Sequence, residues 1–353
     1  MQKRVKLAVA GCGRVVERYH LPALRRSPQW QLVGACDPEA GRRSWMEEAW
    51  PGLAVWASAE ELFDRAAADV VLVASPPARH ADLAAKAMRR GFHVLVEKPM
   101  GLDAKEAGRL LEVARGTGRR LWVSFNRRFI ASYARLRGLL SHCAPEQVRD
   151  LRYHFTANTD YWQTVSGYLG RDEQGGGVLH DIASHQIDLL AWLLNSTVER
   201  VRVAELLGDN GTGKVAACHL TLANGVAACC EAGHGSVYRE GLSVRLPGRT
   251  IVADARRLGW SRRLDAQRLA VRNRLYSLPG RVWQRSARRP DPMVRSFMAQ
   301  YRALAAALSG GHGPAPADAE SGYRNMLAIE ACRRSLQRGG VEECAGSPKE
   351  AVS

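Results

Sequence analysis

At 353 residues the chain is too long for one ordinary domain and comfortable for two. Its 46% apolar and 24% charged residues suit a globular protein in water, and the absence of any run of about 18 apolar residues excludes a membrane-spanning helix. The net charge of +16 is local, since eleven arginines face one acid, Asp265, between Arg256 and Arg289, without the helix-turn-helix, zinc-finger or RNP-like pattern that nucleic-acid binding would require.

The opening MQKRVKLAVAGCG passes directly into a short apolar run and a glycine turn. That run is too short for a secretory leader and lacks a small-residue cleavage site, so a cytoplasmic protein is expected. The eight cysteines form no CxxC pair and read as buried, reduced residues rather than zinc ligands. From there the first half alternates two periods. Val5–Ala10, Gln31–Cys36, Asp69–Ala74, His93–Val96 and Leu121–Ser124 are near-continuous apolar runs, as expected of parallel strands buried on both faces. Between them Val15–Arg26, Glu39–Ala49, Ala59–Ala67, Arg79–Arg90 and Ala104–Arg115 have helical spacing. This succession predicts a doubly wound parallel sheet over residues 1–125.

Beyond about residue 140 the alternation stops. Val148–Phe155, Val198–Leu206, Lys214–Leu222, Val226–Ala232 and Ser243–Leu246 read as strands, with a hairpin signal at Asn224-Gly225. Helices are expected at Leu179–Leu194, Pro292–Leu308 and Ala317–Arg338. Residues 126–353 are therefore expected to form an α+β domain with a mainly antiparallel, open sheet, serving substrate binding and oligomerisation.

AGCGRVVERYHLPAL follows the first strand and opens the first helix. Gly11 and Gly13 allow a tight turn and close approach of a pyrophosphate to backbone N–H groups, with Arg14 and Val15 beside them. The usual third glycine is replaced by Val16. Asp37 ends the second strand, where a carboxylate accepts from adenosine ribose hydroxyls and repels a 2′-phosphate. A dinucleotide is thus expected, NAD in preference to NADP, with Arg42 and Arg43 as groups that could offset the repulsion. Ser75, Pro76 and Pro77, with His80 close behind, and Glu97-Lys98-Pro99 end later strands on the same carboxyl edge. In the second half Asp181, His185 and Asp188 stand at i, i+4 and i+7, after Gly175, Gly176 and Gly177 and above the apolar face Ile182, Leu189, Leu190 and Leu193. The D-x-x-x-H pair lacks a clear third ligand, so no metal is expected.

Taken in order, AGCGRVVERYHLPAL, DVVLVASPPARHADLAAKAMRRGFHVLVEKPM, GRRLWVSFNRRF, GGGVLHDIASHQID and the C-terminal AESGYRNMLAIEACRRSLQRG resemble the glucose-fructose oxidoreductase / inositol dehydrogenase / rhizopine-catabolism (Gfo/Idh/MocA) family over nearly the whole chain. The resemblance implies hydride transfer between nicotinamide C4 and a hydroxyl or keto carbon of a sugar, cyclitol or sugar conjugate. It makes Lys98, Asp181 and His185 the catalytic residues. Gly11, Gly13, Arg14, Val15, Asp37, Ser75, Pro76, His80, Glu97 and Lys98 are then on the cofactor side, and Asn126, Arg127, His180, Asp181 and His185 on the substrate side. It also implies a homodimer or homotetramer. The departures are Val16 in the glycine loop, Ala183 where glycine is commoner, and His180 where an apolar residue is frequent. An NAD-dependent glycosidase of the same fold and a non-catalytic cofactor-binding regulator are the alternatives. For Arg256–Arg289 three readings stay open: a solvated face, a patch that attracts an anionic substrate, and a lipid-surface contact.

Overall fold

The structure is a computed structural model that describes residues 4–158, 177–207, 214–235, 238–261, 290–311 and 313–344. Six parallel strands follow from the apolar runs of the first half. They are β1 (Val5–Ala10), β2 (Trp30–Cys36), β3 (Val55–Trp56), β4 (Val70–Val73), β5 (His93–Val96) and β6 (Leu121–Val123). They lie side by side in the order β6-β5-β4-β1-β2-β3. Val70, Val71, Leu72 and Val73 are all buried, the reason this strand is apolar throughout instead of alternating. Helices Ala40–Ala49, Ala59–Arg65, His80–Arg89 and Ala104–Thr117 connect them. Ser58 and Asp103 cap two of these helices by accepting from the N–H of Glu61 and Glu106, and Gly118, at φ 64°, ends the last.

Two short elements of this sheet escape the sequence patterns. One is β3, with two residues; the other is β14 (Ala317–Asp318), which pairs antiparallel with Val123 and Trp122 of β6. The helix expected from Ala317 therefore begins at Ala319, with the Asp318 carboxylate accepting from the Ser321 N–H. The single helix expected over Val15–Arg26 is instead a π-helical turn, Val16–His20, followed by one α-turn, Leu21–Leu24.

The second sheet contains β7 (Asp150–Asn158), β8 (Val198–Leu207), β9 (Lys214–Leu222), β10 (Ala227–Gly235), β11 (Arg239–Leu246), β12 (Arg249–Ala253), β13 (Leu258–Ser261) and β15 (Val341–Glu343), in the order β13-β12-β11-β7-β10-β9-β8-β15. Every neighbouring pair is antiparallel except β7 with β10. Gly225, at φ 82°, makes the β9–β10 turn that Asn224-Gly225 signals.

The described residues divide into two compact units, and the division is not the single cut after residue 125 expected from the pattern. The first unit holds the residues up to Asn126 and also Met293–Met326; the second holds those from Arg127 to Pro292 and from Leu327 onward. The physical cause is the helix Pro292–Leu308. Its residues Val294, Phe297, Tyr301 and Leu304, three and four apart, are buried in one core with Leu7, Val9, Trp30 and Leu32 of the first sheet. Each such side chain contributes about 1.5–3 kcal/mol of burial, enough to draw the chain back. Trp30 also donates from Nε1 to the Tyr301 carbonyl at 2.9 Å.

Candidate functional site

In the first unit the chain runs from β1 outward through β2 and β3, then resumes at β4 on the other side of β1. The carboxyl ends of β1 and β4 therefore splay their loops apart, the switch point at which open α/β sheets bind ligands. Gly11 sits there at φ 101°, and a Cβ on it would come within 2.7 Å of the Ala74 carbonyl and the Ser75 nitrogen. Only glycine fits. A Cβ on Gly13 would meet nothing within 4 Å, so the loop opens on free space. Beside it Arg14 Nε is buried without a hydrogen-bond partner, while Arg14 Nη1 lies 3.3 Å from Glu17. Half-buried Val15 leads into the π-turn. Asp37 is pinned from both sides: Oδ2 accepts from the Cys12 N–H at 2.8 Å and Oδ1 from the Glu39 N–H at 2.9 Å. Arg42 pairs with Glu17 at 3.2 Å, and Arg43 donates to the carbonyls of Asp37 and Pro38. An open glycine cradle, an orphaned guanidinium nitrogen and a fixed carboxylate one strand away fit a dinucleotide. Burial pushes the Cys12 and Cys36 thiols up, the latter to about 12, so neither is a nucleophile here.

The same edge carries the loops after β4 and β5. Ser75 is half-buried and Pro76 exposed, and His80 ties the two loops together. Its ring nitrogens lie 2.7 Å from the Ser75 carbonyl and 2.7 Å from the Pro99 carbonyl. Burial holds the His80 pKa below its ordinary value, against the pull of those two carbonyls. Lys98 is half-buried, and the Lys98–Pro99 peptide is cis. Glu97 differs from the cofactor contact expected of it. Its carboxylate turns inward to His20 Nε2, 2.9 Å away, and His20 Nδ1 lies 2.8 Å from the Tyr301 hydroxyl. Asn126 donates to Ser296 Oγ at 3.0 Å, and Gln300 to Ser124 Oγ at 3.0 Å.

In the second unit the Asp181–His185 helix opens with a π-turn, Leu179–Ala183, before the α-helix Ser184–Leu193. The extra residue of that turn rotates what precedes it, so the i, i+4, i+7 alignment does not hold for all three polar residues. Asp181 and His185 remain half-buried. Asp188 is buried and takes both Arg128 Nε, at 2.9 Å, and Arg128 Nη2. Burial still raises the Asp188 pKa against that guanidinium. Gln186 donates to the carbonyls of Tyr153 and Glu231 and so fixes the helix across β7 and β10. His180 is 2% exposed. His234 on β10, which the sequence pattern does not reveal, places Nε2 3.3 Å from Asp181 Oδ2. Arg127 also departs from expectation. Its guanidinium pairs with the buried Glu240, donates to the Tyr153 hydroxyl at 3.1 Å and lies 4.1 Å over the Phe155 ring. Gly177 has φ 74°, whereas Gly175 and Gly176 lie outside the described residues. Among the described residues no group of three or more His, Cys, Asp or Glu is gathered to hold a metal ion.

Residues 5–125 match the model of the oxidoreductase family with an NAD-binding Rossmann fold, and residues 133–251 that of the GFO/IDH/MocA C-terminal domain. The chain belongs to the Gfo/Idh/MocA oxidoreductase family, and residues 5–125 are its NAD-binding domain. It is 31% identical over 228 residues to the dTDP-3,4-didehydro-2,6-dideoxy-alpha-D-glucose 3-reductase of Streptomyces violaceoruber, covering 60% of this chain and 65% of that one. It is 27% identical over 195 residues to the D-glucoside 3-dehydrogenase of Escherichia coli (strain K12), covering 54% of each. The matches thus span between about half and two thirds of these curated relatives. In fold it resembles the WlbA dehydrogenase of Bordetella pertussis, solved with NADH and UDP-GlcNAcA, with a TM-score of 0.77 and 20% identity over 97% of this chain and 98% of that one.

Proposed function

We propose that the protein is an NAD(P)-dependent dehydrogenase or ketoreductase acting on a hydroxyl or keto carbon of a sugar, cyclitol or sugar conjugate. The observation that carries this reading is the carboxyl edge of the first sheet, where the glycine cradle, Asp37, Ser75–Pro77 and Lys98 end successive strands. Relatives named for reactions on sugars support the substrate class.

Gly11, Gly13, Arg14 and Val15 would hold the pyrophosphate, Asp37 the adenosine ribose, and Ser75 and Pro76 the nicotinamide-side ribose, with buried His80 fixing their loop through the Ser75 and Pro99 carbonyls in place of the cofactor contact expected of it. Bound NAD supplies the hydride acceptor or donor. The remaining chemistry belongs to the chain. His185 takes the proton from the reacting hydroxyl or returns it to the ketone oxygen. Lys98 donates to that same oxygen and stabilises alkoxide charge as it develops. Asp181 keeps the site's charge balanced and orients substrate, its Oδ2 lying 3.3 Å from His234 Nε2. His180 and Asn126 contribute to holding the substrate. NAD is preferred to NADP because Asp37 repels a 2′-phosphate. The eight cysteines are all free thiols, which supports a reducing, cytoplasmic compartment. A homodimer or homotetramer is expected by light scattering.

The test is a panel of sugars, cyclitols and nucleotide sugars with either cofactor, followed at the nicotinamide absorbance band. Turnover with one class supports the proposal. Cleavage of a chromogenic glycoside without net change in the cofactor would replace it with a glycosidase.

A further inference from the structure

Arg42 and Arg43 lie in the first turn of the helix Ala40–Ala49, just beyond Asp37. A guanidinium there suits the 2′-phosphate that distinguishes NADP from NAD, since its planar fork matches phosphate oxygens. Both are turned to other partners instead. Arg43 Nη1 donates to the Asp37 carbonyl at 3.0 Å and to the Pro38 carbonyl at 2.8 Å. Arg42 Nη1 donates to Glu17 Oε2 at 3.2 Å.

Glu17 belongs to the π-turn Val16–His20. The N–H groups of Val16 and Glu17 donate to the Gly13 carbonyl at 3.0 and 3.1 Å, so the turn that closes the glycine loop also sets this carboxylate beside it. Both Glu17 oxygens lie 3.3 Å from Arg14 Nη1. The carboxylate is thus held from the loop side by Arg14 and from the Asp37 side by Arg42. Arg14, Glu17 and Arg42 are 39%, 31% and 24% exposed, which leaves their charges only partly screened by water. The Cys12 thiol, within the loop, feels the same group: burial and the Asp37 carboxylate push it up, and Arg42 pulls against them. Arg42 is therefore within electrostatic reach of the loop. Arg14 and Arg42 cancel Glu17 and Asp37 in charge. A 2′-phosphate arriving there meets two carboxylates and a guanidinium already engaged.

We propose, given the dinucleotide reading of the glycine cradle above, that Glu17 is a specificity-determining residue that selects NAD over NADP by withholding Arg42 from a 2′-phosphate. It acts through Arg42 and is a positioning residue. Glu17 and Asp37 then oppose the phosphate by different means, one by occupying its partner and the other by direct repulsion. An ion pair this exposed contributes little to folding, so its loss should leave the melting temperature within about 3 °C.

The test reads binding and needs no turnover. NAD and NADP are titrated into the apo-protein by fluorescence quenching, and AMP and adenosine 2′,5′-bisphosphate by calorimetry to isolate the adenosine end. Glu17→Gln keeps the side chain's size and removes its charge. It should tighten NADP by about tenfold relative to NAD, and the bisphosphate by about tenfold relative to AMP. Glu17→Gln combined with Arg42→Gln should lose that gain. Glu17→Gln combined with Arg18→Gln, of the same net charge, should keep it, because Arg18 is exposed with its guanidinium 5.7 Å from the Tyr19 ring centre. An NADP-to-NAD ratio unmoved by Glu17→Gln, with NAD still bound, overturns the selector role and leaves that of Asp37 standing. A gain that survives Arg42→Gln also overturns it, since charge alone and not Arg42 would then be the cause. Wild-type protein that binds neither dinucleotide would instead remove the cofactor reading itself, and the role of Glu17 with it.

Discussion

Gly11 and Asp37 are the two residues at which backbone geometry and cofactor choice meet. At φ 101° and with backbone 2.7 Å from its missing Cβ, Gly11 is the position least able to take a side chain. Gly11→Ala is expected to abolish NAD binding by fluorescence titration, whereas Gly13→Ala, which meets nothing within 4 Å in the protein, should weaken binding only by crowding the ligand. Asp37→Ala should narrow the gap between NAD and NADP, because it removes both the ribose acceptor and the charge that opposes a phosphate. A wild-type preference for NADP would count against this assignment. At the catalytic positions, Lys98→Met and His185→Ala should each lower kcat by about 10²–10⁴-fold while cofactor affinity holds. A variant retaining a tenth of the activity would lose its assigned role. The positions of Gly11, Asp37 and Lys98 along the carboxyl edge were legible because strand ends and glycine turns mark them. His20, Tyr301 and His234 were not, since their partners Glu97, His20 and Asp181 lie 77, 281 and 53 residues away. Arg127 and Glu97 carried the right charge for a ligand, but the pattern does not say whether a charge turns toward solvent or toward a buried partner.

At the scale of elements, two π-turns stand where the candidate residues stand. Val16–His20 follows the glycine loop, and Leu179–Ala183 carries His180 and Asp181. Both lie in stretches with ordinary helical spacing, so the sequence predicts helices there and gives no sign of the wider turn. Strands fared better in the first half than in the second: β3, β12, β13, β14 and β15 are too short or too polar to show a period. In the second unit, the elements β7, β11 and the helix Ala131–Leu140 are joined through Glu240, which accepts from Arg127 and from the hydroxyls of Tyr133, Tyr153 and Tyr238. Burial would raise its pKa, but Arg127 and these hydroxyls hold it below the ordinary carboxylate value. A depressed folded-state pKa contributes stability that is present above about pH 4.3, the unfolded value, and is lost as pH falls through the folded value. Arg127→Met is therefore expected to cost about 3–5 kcal/mol by leaving a buried charge alone. It should also raise the midpoint of acid unfolding, measured by circular dichroism. An unchanged acid midpoint would show that Glu240 is not ionised in the folded protein.

At the scale of the molecule, the helix Pro292–Leu308 belongs to the first unit from Met293 on, although a long part of the second unit precedes it in sequence. Its apolar spacing was legible; its destination was not, because burial partners across the chain leave no local mark. A fragment ending at Asn126 is expected to melt without cooperativity and to bind no NAD, since it lacks Phe297, Tyr301 and Leu304 from its core. Cooperative melting of that fragment would contradict this. The arginine-rich Arg256–Arg289 stretch falls mostly outside the described residues, from position 262 to 289. The three readings given for it, a solvated face, a patch for an anionic substrate and a lipid-surface contact, therefore fall there too, and a salt-dependent KM would single out the second. The most direct measurement is the nicotinamide absorbance change with the panel of sugars, cyclitols and nucleotide sugars, run on the wild type and on Lys98→Met side by side. The expected result is turnover with one substrate class and a loss of at least about a hundredfold in the variant. Tight NAD binding with no oxidation or reduction of any member of the panel, or equal turnover by the variant, would contradict a Lys98-assisted dehydrogenase.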